Sequence, residues 1–139
     1  MSDSPRRAED KEFFRERYGR TRQEASREVE RSVLGHDVGV NGYTTVAEAG
    51  ALVEHLGLSP TSLLLDLGSG RGWPGSYLSR LGGCRVVLTD IPLEALRADR
   101  EYVETREVGA RARIVAAEGG ALPFAPDLFD AISHADVFC

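Results

Sequence analysis

One segment constrains this chain more than any other: LLLDLGSGRGWPG, residues 63–75. Its continuous apolar run predicts a strand covered on both faces, because a half-exposed strand would alternate apolar and polar residues. The strand delivers Asp66 to its carboxyl end, and Gly68, Gly70 and Gly72 then form a turn without Cβ atoms, against which a ligand can lie. A helix is predicted to start near Pro74 and run through SYLSRL. An acidic side chain two residues before the first glycine suits an ammonium or a hydroxyl and would repel a pyrophosphate. Asp66 also has a plainer use, as a cap for the glycine turn.

The rest of the chain repeats the alternation of strand and helix. RVVLTD (85–90), RARIVAA (111–117) and DLFDAISHAD (127–136) read as strands, with a helix over 92–109 that Pro92 opens and Gly109 stops. Strands separated by helical stretches imply a parallel sheet with crossovers, an α/β fold wound on both sides. Upstream, Thr44 or Thr45 caps VAEAGALVEHLG and Gly57 ends it. Residues 8–33 mix opposite charges at helical spacing, as at Glu24 to Arg27 and Glu28 to Arg31, with only Phe13, Phe14, Tyr18, Val29 and Val33 to dock them. This is a charged helical arm and loop, 1–43, ahead of the domain proper, 44–139.

Charge and cysteine content exclude several classes. Residues 1–34 hold nine basic and eight acidic side chains, and residues 35–139 hold eight and fourteen. That acidic surface argues against nucleic acid or anionic membranes as partners. No apolar run approaches the ~18 residues of a membrane span, and the charged N-terminus lacks the apolar core of a signal peptide, so a cytoplasmic protein is expected. Cys84 and Cys139 are too few for a disulfide framework or a zinc site, and no metal is expected. Cys84 reads as a small buried hydrophobe and Cys139 as an exposed thiol.

A dinucleotide fingerprint, GxGxxG, fails here because its third glycine falls on Trp73. Read as DxGxGxG, the segment instead resembles the first motif of the class I S-adenosylmethionine-dependent methyltransferases. Two further segments extend the resemblance. Asp90 ends the next strand, 24 residues after Asp66, where a carboxylate can accept both hydroxyls of a ribose. AAEGGALPFAPDLFDAI, 116–132, is similar to the family's acidic residue, LPF and FD, with Glu118, Leu122, Pro123, Phe124, Phe129 and Asp130 in those places. The family more often has Asp where Glu118 stands.

The resemblance implies a Rossmann-like fold and S-adenosyl-L-methionine as cofactor. Its contacts are expected from Asp66, Gly68, Ser69, Gly70 and Gly72, from Asp90 at the ribose, from Ile91 beside the adenine, and from Glu118 and Gly119 at the adenine amino group. Tyr43 and Thr44, at the head of a helix whose free amides suit a carboxylate, join this set. His134, at the carboxyl end of the fourth strand beside Asp136, is the candidate base for the acceptor's proton. Trp73 either lines the pocket or packs under the helix; Asp130, at the strand's other end, is structural.

The family's sheet has seven strands in the order 3-2-1-4-5-7-6, whereas this sequence supplies 3-2-1-4. A cofactor-binding half is therefore expected, with the fourth strand left as an edge through which the chain self-associates or meets a second chain. The function expected is methyl transfer to a small molecule. The alternatives are a non-catalytic cofactor-binding fragment or partner subunit and, behind it, an NAD-dependent oxidoreductase.

Overall fold

The computed structural model describes residues 24–34, 44–91, 108–135 and 137, with single positions at 9, 12, 13, 15, 16, 97 and 100. In the arm, α1 spans Glu24–Leu34, with further helical positions at Glu9, Glu12, Phe13, Arg15 and Glu16. Arg31 reaches two turns back along it to Glu24. The boundary at residue 43 and most of the helix expected over 92–109 lie outside the described residues, as do Asp136 and Cys139; Arg97 and Arg100 are helical.

Helix α2 spans Val46–His55, and Thr45 is its cap. The Glu48 amide donates to Thr45 Oγ1 at 3.2 Å while Glu48 Oε2 accepts from the Thr45 amide at 2.8 Å, a reciprocal box that occupies two of the otherwise orphaned donors. At the other end Gly57 adopts φ +59°, so that its amide bonds Glu54 O at 3.1 Å and that of Leu58 bonds Val53 O at 3.0 Å. Only a residue without a Cβ takes this left-handed turn cheaply.

Four parallel strands follow: β1 (Leu63–Leu67), β2 (Arg85–Asp90), β3 (Ala112–Ala116) and β4 (Ala131–His134), in the order β3-β2-β1-β4. This is the predicted topology. Helix α3 (Gly75–Gly82) crosses from β1 to β2. β4 is shorter than the sequence pattern suggests, because Asp127 turns at φ +57° and the chain straightens only after Phe129. Asp130 pins the start of β4: its amide donates to Leu63 O at 2.9 Å and its Oδ2 accepts from the Leu63 amide at 2.7 Å. It is structural, as expected.

Side chains alternate across the sheet, so register decides which face each residue serves. Leu64, Val86, Leu88 and Ala112 share one face, and with Ala49, Leu58, Leu78, Val108 and Cys84 they form the buried core beneath α2 and α3. Cys84 is the small buried hydrophobe expected of it. Trp73 is 4% exposed, belongs to this core and lies 5.3 Å from the Tyr77 ring, which settles it as a packing residue. The central strand β1 is buried across Leu64, Leu65 and Asp66, whereas β4 is half open.

Candidate functional site

The carboxyl ends of the strands set the site. Register aligns Thr89 of β2 with Leu67 of β1 on one side and Val115 of β3 on the other, while His134 of β4 lies across from Leu67. One residue further on stand Gly68 and Asp90, and the amide of Ala117 donates to Asp90 O at 3.1 Å, which brings Glu118 alongside. Parallel strands thus carry three segments distant in sequence to one edge, where ligands of open α/β sheets bind.

The glycine turn is held from below. Gly68, Gly70 and Gly72 have φ of +67°, +57° and +86°, conformations that a Cβ penalises. The Ser69 amide donates to Thr89 O at 2.9 Å and the Gly72 amide to Ser69 O at 2.8 Å, so the turn is tied both to β2 and to itself. A Cβ on Gly68 would stand 2.5 Å from Val137, which follows β4 and covers the start of the turn.

Asp66 lies beneath this loop with no exposed surface. Its Oδ2 accepts from the Gly75 amide at 3.0 Å and its Oδ1 from the Ser133 hydroxyl at 2.6 Å, while Thr89 Oγ1 donates to its carbonyl at 3.0 Å. The direct contact with an ammonium or hydroxyl expected of Asp66 gives way to its plainer use. Both oxygens are engaged inside the protein, where Oδ2 clips the start of α3 to β1, setting the height of the loop between them, and Oδ1 ties β4 to β1. Burial pushes its carboxyl up to about 7, against the opposing hydrogen bonds from Ser133 and Gly75.

Asp90 is at the rim instead. Its Oδ2 accepts from the Gly70 amide at 2.8 Å and its Oδ1 from the Ile91 amide at 2.7 Å. Each oxygen keeps acceptor capacity beyond these bonds. Burial raises its carboxyl above the usual range, and the two amides pull the other way. Ile91, next to it, is 44% exposed, an apolar surface at the edge of the site.

Glu118 is half-buried in a small bridge with Ala121, and Gly119 is exposed beside it with open space around its Cα. Thr44 is half-buried immediately before the α2 cap, which is Thr45; Tyr43 lies outside the described residues. His134 is exposed, and its register puts its side chain on the sheet face opposite Asp66 and Ser133. Sequence reasoning missed Ser133, Thr89 and Gly75. The one signal for Ser133 and Thr89 was a hydroxyl within a strand; Gly75 carried none. Among the described residues, no group of three or more His, Cys, Asp or Glu side chains is disposed to hold a metal ion, and no helix is long and apolar enough to cross a membrane.

Comparison with known proteins extends this picture. A family model described as the methyltransferase domain matches residues 65–139. The fold is similar to that of an S-adenosylmethionine-dependent methyltransferase from Geobacter sulfurreducens, with a TM-score of 0.62, 20% identity, and coverage of 78% of this chain and 42% of that one. It is similar, with a TM-score of 0.60 and 16% identity, to a second such enzyme from Thiobacillus denitrificans, over 83% of this chain and 44% of the other. Both were crystallised with S-adenosyl-L-homocysteine. A geranyl diphosphate C-methyltransferase from Streptomyces coelicolor A3(2) matches with a TM-score of 0.58 and 24% identity, over 63% of this chain and 33% of its own. The chain spans less than half the length of each of these structures. No curated protein matches it in sequence.

Proposed function

The chain belongs to the methyltransferase domain family, and on that premise we propose that it binds S-adenosylmethionine across the ends of β1, β2 and β3 for methyl transfer to a small-molecule acceptor. One observation carries the reading. The Asp90 carboxylate stands 2.8 Å from the Gly70 amide, so the acidic end of β2 and the glycine turn share one rim, with exposed Ile91 beside them.

The residues present fit that cofactor. Asp90 offers two oxygens with acceptor capacity to the ribose hydroxyls, and charge-assisted bonds of this kind are worth about 1.5–3 kcal/mol each. Ile91 gives the adenine an apolar surface, and Glu118 and Gly119 lie along the adenine edge. The turn of Gly68, Ser69, Gly70 and Gly72 admits the methionine end because its three glycines carry no Cβ, and Thr44 with Tyr43 is assigned to its carboxylate. When bound, the cofactor supplies a methyl group on a sulfonium, a good leaving group. The protein's part is therefore positioning and exclusion of water. His134 is assigned the proton of an attacking oxygen or nitrogen.

Calorimetric titration with S-adenosylhomocysteine tests the reading, with Asp90→Ala as control and sedimentation alongside. Saturable binding weakened by that substitution is the expected result; a folded, monodisperse sample that takes up no ligand would sink it. For His134, the expected outcome of His134→Gln is lost turnover at undiminished ligand affinity. Because the chain spans 42% of the Geobacter enzyme's length, a second reading is a cofactor-binding unit that turns over only beside a partner chain on the β4 edge. Binding without turnover, and sedimentation above the monomer's mass, would favour it.

A further inference from the structure

Ser133 is 6% exposed and donates its hydroxyl to Asp66 Oδ1 at 2.6 Å across a sequence separation of 67 residues. The other Asp66 oxygen accepts from the amide of Gly75, the first residue of α3, at 3.0 Å. The glycine turn is the stretch between Asp66 and Gly75, so the carboxylate closes that stretch at its base and Ser133 holds the carboxylate. We propose that Ser133 is a positioning residue for the cofactor, holding the Asp66 carboxyl aimed at the head of α3 so that the glycine turn keeps its binding shape. The proposal rests on the cofactor reading above.

The physical case is that a fully buried carboxylate resists ionisation, and hydrogen bonds to its charged form are what counter that. Ser133 supplies the shorter of the two bonds, 2.6 Å against 3.0 Å from the Gly75 amide. Among the described residues, the surroundings offer Asp66 little else. From β2 come Thr89, which donates to its carbonyl, and Asp90, which repels the charged form. From α3 come Tyr77 and, in the last turn, Arg80, which is exposed and lies over the Tyr77 ring. The turn itself carries Arg71, and His134 of β4 projects from the opposite face of the sheet. Removal of the hydroxyl therefore favours the neutral acid, whose hold on the Gly75 amide is weaker.

The experiment is a pH series of calorimetric titrations with S-adenosylhomocysteine on wild type, Ser133→Ala and Ser133→Thr. Carbon-detected NMR titration of the Asp66 carboxyl accompanies it in ligand-free protein. The expected result is that Ser133→Ala weakens binding about fivefold at pH ~7 and moves both the binding midpoint and the carboxyl titration upward by about one pH unit, while threonine restores both. If alanine does not fold, Ser133→Cys, a weaker donor of nearly the same shape, is expected to show the same displacement. Wild type that binds while the Ser133 variants keep its affinity and its Asp66 titration overturns the role of Ser133 alone. Wild type that takes no ligand at any pH overturns the cofactor reading and this role with it.

Discussion

The two sides of β1 are built differently. Toward β2 the chain is closed: Val86 to Thr89 are all buried, α3 covers the crossover, and the turn between is tied down by backbone and side-chain hydrogen bonds. Toward β4 it is open, with Ile132 54% exposed on the same register row that buries Leu65 to 1%. The comparison teaches that the rim formed by the glycine turn and Asp90 is held by contacts within the described residues, whereas the β4 flank presents apolar surface. What joins the two is polar, Ser133 to Asp66 near one end of β4 and Asp130 to Leu63 at the other.

The largest test of this contrast lies in pH. Asp66 has a carboxyl raised from 3.8 to about 7, so the folded state holds a proton that the unfolded chain releases. Its contribution to stability is fully present below pH ~4 and is lost as pH rises toward ~7, on the order of 4 kcal/mol in all. Urea titrations at pH 3 and pH 8 should show this loss relative to Asp66→Asn, which lacks it; an equal pH dependence in the variant would remove Asp66 from the account.

Next comes Leu65→Ala, expected to cost about 3 kcal/mol because it empties a buried site. Gly75→Ala follows at about 2 kcal/mol. Its new Cβ would stand 2.6 Å from Asp66 Oδ2 and 2.7 Å from Leu88 Cδ2, and backbone must move to relieve this. Thermal melting reads both, and a Gly75→Ala protein as stable as wild type would show that the head of α3 yields. Asp90→Ala sharpens the comparison from the ligand side, with affinity for S-adenosylhomocysteine falling at least about tenfold by calorimetry. Smallest is Ile132→Thr on the open flank, expected within about 0.5 kcal/mol of wild type. A large loss there would mean that the β4 face is covered in solution.

Much of the fold was legible because its signals are local. LLLDL announced a doubly covered strand, Gly57 and a threonine cap at 44 or 45 marked the bounds of α2, the alternation of elements implied a parallel sheet with crossovers, and the family resemblance implied the order β3-β2-β1-β4. The rim position of Asp90 was legible too, since a carboxylate ending a strand in such a sheet has one place to go. The true use of Asp66 was not, because it depends on Ser133, 67 residues away, and on register between strands that the sequence does not number. Trp73 stood open between pocket and core for the same reason: burial of an aromatic ring is decided by what α2 and the sheet bring against it.

The pinning of β4 also bears on the order in which the molecule assembles. Its bonds to β1, Asp130 to Leu63 and Ser133 to Asp66, each close a loop of 67 residues, an entropic charge of roughly 4 kcal/mol on a flexible-chain estimate. Contacts between β1, α3 and β2 close far shorter loops. The folding nucleus therefore belongs to the glycine-turn unit and β4 docks late, so amides of β4 should exchange with solvent deuterium sooner than those of β1 and β2.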